Sequence, residues 1–152
     1  MRFWDSSALV PLLVAEETSR PLTALFRDEQ EIAVWWGTEV ECASSVARLE
    51  RSTQLTPAET NRVFQRLAAL AQSWHSIEPG ETIRATALRL LRVHDLRAAD
   101  ALQLAAAFLA SEGHPATLPF VCLDDRLAAA AHREGFQVID RSSLDTAGTV
   151  SD

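Results

Sequence analysis

Short strand patterns alternate with helical patterns along almost the whole chain. The apolar run at 119–123 is typical of a buried parallel strand, and the helical pattern at 98–111 is apolar nearly all round, which predicts a buried helix. Because regular alternation builds a parallel sheet with helices on both faces, we predict an α/β domain with a mostly parallel sheet of four or five strands. The strand patterns are 1–4, 31–35, 74–77, 119–123 and 136–139.

Size and charge narrow the classes of protein that fit. The 152 residues suit one domain, and we predict a domain over 1–140 followed by a loose tail over 141–152, where periodicity is lost. All 14 basic residues are Arg, and the net charge of −7 excludes a strongly basic protein that coats nucleic acid. No apolar run suits a membrane span, and the charge at Asp5 comes too early for a secretory signal. We therefore expect a cytoplasmic protein.

The basic residues concentrate in the middle of the chain. Segment 47–99 holds eight Arg against five acids, whereas the rest holds six Arg against 16 acids. One interpretation is a set of solvated helix faces with partners one turn away. The other is an Arg-lined rim beside an acidic pocket, which would suit a phosphate chain. The charge pattern alone leaves both open.

Two aspartates follow predicted strands at the sheet edge where α/β proteins bind ligands. Asp5 comes directly after the first strand, and Asp124 directly after 119–123. Either can instead be only a helix N-cap, a frequent role for Asp. Asp125, adjacent to Asp124, is the alternative candidate at that position.

Three further acids lie near predicted helix starts. Asp100 is in the first turn of the most apolar helix, where a carboxylate is expensive unless it is paired, metal-bound or at the rim. The helix dipole alone can offset part of that cost. Glu41 and Glu39 stand two apart, so they do not share a helix face and only one readily points at a common site. We favour Glu41, which precedes small residues that allow close packing.

Carboxylates gathered in one place repel one another unless cations compensate, and sites built only from oxygen ligands select Mg²⁺ or Mn²⁺. The four His are scattered, and Cys42 and Cys122 lack the paired spacing of a zinc site. Phosphate-loop, dinucleotide and serine-hydrolase motifs are absent from the sequence. The acids therefore predict a hard divalent cation.

At these residues the chain resembles PIN-domain ribonucleases, specifically the VapC toxins of VapBC toxin–antitoxin modules. Order and spacing agree from about residue 2 to residue 140, and the block around Asp100 is the strongest piece. The matching stretches are FWDSSALV at 3–10, Glu41 followed by Ala43 and Arg48, LRAADALQLAAA at 96–107, and FVCLDDRL at 120–127.

The resemblance implies a PIN-like three-layer α/β/α domain and a set of site residues. Ser7 matches a small hydroxyl residue that helps to shape the site, and Cys122 stands where the family often has Thr or Ser. Asp5 and Asp100 are implied to be direct Mg²⁺ ligands, with Mn²⁺ able to substitute. The implied acidic quartet is Asp5, Glu41, Asp100 and Asp124.

The implied activity is that of a Mg²⁺-dependent endoribonuclease toxin, which hydrolyses RNA phosphodiester bonds through a metal-activated water. Arg97 would contact phosphates, and Trp35 and Trp36 would stack on unpaired bases, unless one ring of that pair lies in the core. The implied partners are an RNA substrate, a VapB-type antitoxin and a second copy of the chain.

Two alternatives belong to other classes. A catalytically silent PIN-like module that binds RNA or protein would be marked by the loss of one or more of the four acids, and all four are present. A receiver or phosphohydrolase domain would show a DxDx[TV] segment or a characteristic Lys, and neither is found.

Overall fold

The computed structural model describes residues 1–148 and has a central sheet of five strands with helices on both faces. Every strand pair in this part of the chain is parallel, which confirms the predicted α/β/α architecture. The strands are β1 (Arg2–Trp4), β2 (Ile32–Trp35), β3 (His75–Ile77), β4 (Phe120–Val121) and β5 (Val138–Ile139). The helices are α1 (Ser6–Leu13), α2 (Ser19–Asp28), α3 (Thr38–Arg51), α4 (Pro57–Ala71), α5 (Glu81–Val93), α6 (Ala98–Ala110), α7 (Asp125–Arg133) and α8 (Arg141–Gly148).

The sheet separates two apolar cores. Because successive strand residues point to opposite faces, each strand contributes to both cores. Phe3 packs with α5, α6 and α7 on one face, whereas Trp4 packs with α1–α4 and α8 on the other. Both rings are fully buried, so β1 is the centre of the fold.

The strand order β3-β2-β1-β4-β5 places a topological switch point at β1. The chain adds β2 and β3 on one side of β1, then crosses over through α5 and α6 to add β4 and β5 on the other side. Trp4 is aligned with Val121, so the carboxyl ends of β1 and β4 are neighbours. Open α/β sheets bind ligands in the crevice at such a point. Asp5 and Asp124 both follow these strand ends.

Residues 141–148 differ from the loose tail that the sequence predicts. Asp140 accepts hydrogen bonds from Ser142 and Ser143, which starts α8, and Leu144 is buried in the core that also contains α2. A helix that buries so little apolar surface has no clear periodicity, which explains the difference. The remainder of the predicted tail, 149–152, lies outside the described residues. Through residue 148, no helix has both the length and the apolar character needed to cross a membrane.

Candidate active site

An open cleft of about 630 Å³ lies where the chain enters α1, α6 and α7 and where α3 begins. The four segments that form it are far apart in sequence, and the switch point of the sheet brings them together. All of its lining residues except Ala99 are polar or charged. The lining residues are Ser6, Glu41, Ser44, Ser45, Arg48, Arg97, Ala99, Asp100, Asp124, Asp125 and Arg126.

Asp5 is the N-cap of α1 and only 4% exposed. The backbone N–H and the hydroxyl of Ser7 both donate to its Oδ2, whereas Oδ1 accepts no hydrogen bond from residues 1–148. Burial raises the pKa of the Asp5 carboxyl from 3.8 to about 6; the Ser7 hydrogen bonds oppose this rise, and the charges of Glu41 and Asp100 add to it. The three carboxylates therefore lie near enough to affect one another's ionisation.

Glu41, and not Glu39, is the glutamate at the cleft. Both lie in the first turn of α3, but Glu39 is exposed on another face while Glu41 is partly buried. Its Oε2 accepts hydrogen bonds from the Ser6 hydroxyl at 2.9 Å and the Gln103 amide at 3.1 Å. Burial raises the pKa of the Glu41 carboxyl, these two hydrogen bonds lower it, and the charge of Asp100 raises it.

Asp100 lies half-buried in the first turn of α6. Burial raises the pKa of its carboxyl, and the negative charge of Asp124 raises it further. The pKa of Asp100 is lowered by a hydrogen bond from the backbone of Arg97 and by the positive charges of Arg97 and Arg126. Asp100 is thus a carboxylate in a partly apolar position with two cations beside it.

Asp124 is exposed and is the N-cap of α7, since its Oδ1 accepts from the backbone N–H of Leu127 at 2.8 Å. Its Oδ2 accepts no hydrogen bond from the described part of the chain. Asp125 is also exposed and also lines the cleft. The capping alternative therefore holds for Asp124 as it does for Asp5, and in both residues the cap uses only one of the two carboxylate oxygens.

The donor chemistry of the cleft fits a hard divalent cation. Four carboxylates supply only oxygen ligands, and a cation would offset the burial and the mutual repulsion that raise the pKa values of Asp5, Glu41 and Asp100. The side chains are not gathered around one point: over residues 1–148, no three His, Cys, Asp or Glu lie close enough together to hold a metal ion as placed. Asp5, Glu41 and Asp124 each have one oxygen held by hydrogen bonds and one that is not.

Ser7 connects the ends of β1 and β4. Its hydroxyl donates to Asp5 Oδ2 and accepts from the backbone N–H of Leu123 at 2.9 Å. Cys122 is fully buried, with its Sγ 3.8 Å from both Asp5 Oδ2 and Ser7 Oγ. Burial and the charge of Asp5 raise the pKa of this thiol, which therefore stays protonated as a weak donor.

Three arginines border the cleft, and we call them the basic rim: Arg48 on α3, Arg97 before α6 and Arg126 on α7. In the part of the chain that the structure describes, Arg48 and Arg97 make no ion pair, and Arg126 makes only a 3.7 Å surface pair. Elsewhere, Arg84 pairs with Glu81 on the surface of α5. The Arg-rich segment thus supplies two of the three arginines of the basic rim, Arg48 and Arg97, and also ordinary paired helix faces.

The two adjacent tryptophans differ in exposure. Trp35 is 7% exposed and belongs to the core, whereas Trp36 is 56% exposed. Their rings meet edge to face at 6.4 Å between centroids. Because its ring is packed on the sheet, Trp35 does not offer a face to a base, which corrects the expectation that it stacks on RNA. Trp36 is exposed but does not line the cleft.

Sequence reasoning missed Ser6 and Gln103, which both donate to Glu41. The signal for Gln103 is a polar residue inside an otherwise apolar helix, three positions after Asp100 and therefore on the same side of α6. Ser6 gives no comparable signal, because a Ser after a strand is ordinary in a helix start.

No protein-family model matches the chain. It is 31% identical over 145 residues to Ribonuclease VapC45 and to Ribonuclease VapC49, from two strains of Mycobacterium tuberculosis, covering 90% of this chain and 92% of each relative. Among solved structures, it is similar to a toxin–antitoxin complex from Klebsiella pneumoniae, with a TM-score of 0.63, 16% identity, and coverage of 91% and 96%. PAE2754 from Pyrobaculum aerophilum gives a TM-score of 0.65 at 18% identity, with coverage of 96% and 93%.

Proposed function

The chain belongs to the VapC family of PIN-domain ribonucleases, and from this premise we propose that it is a toxin that cleaves RNA with a divalent cation held in its carboxylate cleft. The observation that carries the proposal is that Glu41, Asp100 and Asp124, from three distant segments, line one cleft at the switch point of the sheet, and that the buried Asp5 beside it feels the charges of Glu41 and Asp100. Asp5, Glu41, Asp100 and Asp124 supply the oxygen ligands that Mg²⁺ prefers, and Mn²⁺ can replace it.

Each residue of the cleft has a separate task in this proposal. When bound, Mg²⁺ supplies Lewis acidity at the scissile phosphate and lowers the pKa of a water molecule. Asp5, Glu41 and Asp124 each have one oxygen held by hydrogen bonds, so their other oxygens would determine where the cation binds. Ser7 holds Oδ2 of Asp5, which would leave Oδ1 for the cation. Hydrolysis joins the water oxygen to phosphorus and breaks the bond to the 3′ oxygen, which leaves a 5′-phosphate and a 3′-hydroxyl.

RNA is the substrate class that the surroundings of the cleft support. A polyanion would be repelled by the acids alone, but the basic rim places three guanidinium groups around them. Guanidinium groups bind phosphates in a forked geometry. Trp36, at the carboxyl end of β2, offers an exposed ring for stacking on an unpaired base. Arg97 and Trp36 therefore remain the proposed RNA contacts.

The direct test is cleavage of a labelled single-stranded RNA by the purified protein. We expect cleavage with Mg²⁺ or Mn²⁺ and none in EDTA, with activity restored when the cation is added back. RNA-end mapping should find 5′-phosphates. Cleavage that continues undiminished in EDTA rejects the cation-dependent mechanism, whereas cation binding without cleavage of any RNA points to the silent binding module.

The basic rim gives a second prediction. Arg48→Ala is expected to raise the KM for RNA about tenfold with little change in kcat, because a phosphate contact is lost. The dependence of log affinity on log salt should flatten by about 0.7. Arg48 suits this test better than Arg97, whose charge also lowers the pKa of Asp100. Arg84→Ala, in a surface pair on α5, is the control and should leave both quantities unchanged. An unchanged salt dependence in Arg48→Ala would contradict the role of the rim.

We also propose an antitoxin as the partner of this chain. The support is the toxin–antitoxin complex whose fold it shares and the family to which it belongs. A partner that offers basic side chains would meet complementary charge at the acidic cleft. The homodimer implied by the sequence resemblance and the cytoplasmic location stay predictions.

A further inference from the structure

Gln103 is the polar exception inside α6. It is fully buried, and its Nε2 donates to Thr38 Oγ1 and to Glu41 Oε2, both at 3.1 Å. Its Oε1 is buried without a hydrogen-bond partner among the described residues. A buried acceptor left without a partner destabilises a fold. The hydrogen bond to Thr38 serves the core, but the bond to Glu41 and the unpartnered Oε1 are not explained by core stability.

The hydrogen bonds to Glu41 suggest what the amide does. Ser6 and Gln103 approach from α1 and α6, and both donate to the same oxygen, Oε2. No residue between 1 and 148 donates to Oε1. Glu41 thus lines the cleft with one oxygen held by two hydrogen bonds and the other without a donor in the described chain.

We propose that Gln103, assisted by Ser6, is a positioning residue that fixes Glu41 so that its Oε1 can bind the cation in the cleft. This inference rests on the proposed function, because it assumes that a cation binds there. The same arrangement holds two other acids, since Ser7 anchors Oδ2 of Asp5 and the N–H of Leu127 anchors Oδ1 of Asp124. Hydrogen bonds of this kind orient metal ligands and support affinity.

The test measures Mn²⁺ binding to the full chain by calorimetry and by the electron paramagnetic resonance signal of free Mn²⁺, without RNA. Gln103→Leu is expected to weaken Mn²⁺ binding about ten- to one-hundredfold. In a Thr38→Val background, where no buried hydroxyl loses its partner, Gln103→Leu should leave the thermal midpoint in EDTA equal to or above that of Thr38→Val, because leucine removes the unpartnered oxygen. A residue that only supports the fold would instead lower the midpoint. If Gln103→Leu does not fold, Ser6→Ala tests the same oxygen and should also weaken binding.

Thr38→Val is the matched control, because it removes the other acceptor of the same amide and leaves the bond to Glu41. It should bind Mn²⁺ as the wild type does. In a Glu41→Gln background, Gln103→Leu should cause no further loss, since its effect passes through Glu41. Equal affinities of wild type and Gln103→Leu, or a loss that persists in that background, overturn the inference while the proposed function stands. A wild type that binds no Mn²⁺ overturns both.

Discussion

Asp100→Asn is expected to abolish RNA cleavage while the fold stays intact. The substitution keeps the shape of the side chain and removes the charge that would hold the cation against the scissile phosphate. Cation stabilisation of the reacting phosphate contributes several kcal/mol, so we expect a loss of about a thousandfold or more in kcat. A quenched time course of cleavage of a labelled RNA measures this loss, and circular dichroism tests the fold.

A second pair of variants, Glu41→Gln and Glu39→Gln, compares two acids within one helical turn. Glu41 lines the cleft and Glu39 does not, although both belong to the first turn of α3. Glu41→Gln should lose cleavage, whereas Glu39→Gln should retain it. Full activity in Asp100→Asn, or equal losses in the two glutamate variants, would contradict the assignment of the cleft as the active site.

The order of the elements could be predicted from the sequence because each one carries a local signal. Burial determines the apolar run before Asp124 and the alternation of strand and helix patterns, so both can be recognised in the sequence without knowing which distant segments are in contact. The position of Asp5 and Asp124 at one sheet edge follows from parallel pairing of the strands that precede them. The choice of Glu41 over Glu39 depends on which side of α3 faces the core, and the small residues that follow Glu41 already indicated that side in the sequence.

The remaining features depend on contacts between distant segments. The bond between Gln103 and Glu41 spans 62 positions in sequence, and although Gln103 stands out as a polar residue in an apolar helix, nothing local identifies Glu41 as its partner. Trp35 is the last residue of β2 and packs into the core, whereas Trp36 lies just beyond the strand and is exposed, and only the packed sheet decides where the strand ends. α8 was missed because Leu144 is the only side chain that it buries among residues 141–146.

Asp5→Asn is expected to stabilise the protein at neutral pH when no divalent cation is present. In the folded chain the pKa of the Asp5 carboxyl is about 6, against an ordinary value of 3.8, so the folded state binds this proton more tightly than the unfolded state. Stability of the wild type therefore falls as pH rises from about 4 to about 6, and the full cost remains at higher pH. The shift corresponds to at most about 3 kcal/mol, which Asn avoids because it carries no charge.

The measurement is urea unfolding of both proteins in EDTA at pH 4 and pH 7.5, with the difference between them as the readout. The variant should be more stable at pH 7.5, and the advantage should vanish at pH 4, where the wild-type carboxyl is protonated. Mn²⁺ at pH 7.5 should raise the stability of the wild type much more than that of the variant, because a cation that binds only the folded state stabilises it. A variant that is less stable than the wild type at pH 7.5 in EDTA would show that Asp5 serves the fold as a cap. The expected reversal by Mn²⁺ would instead show that the buried charge is tolerated because a cation compensates it, which is the stability–activity conflict typical of a catalytic carboxylate.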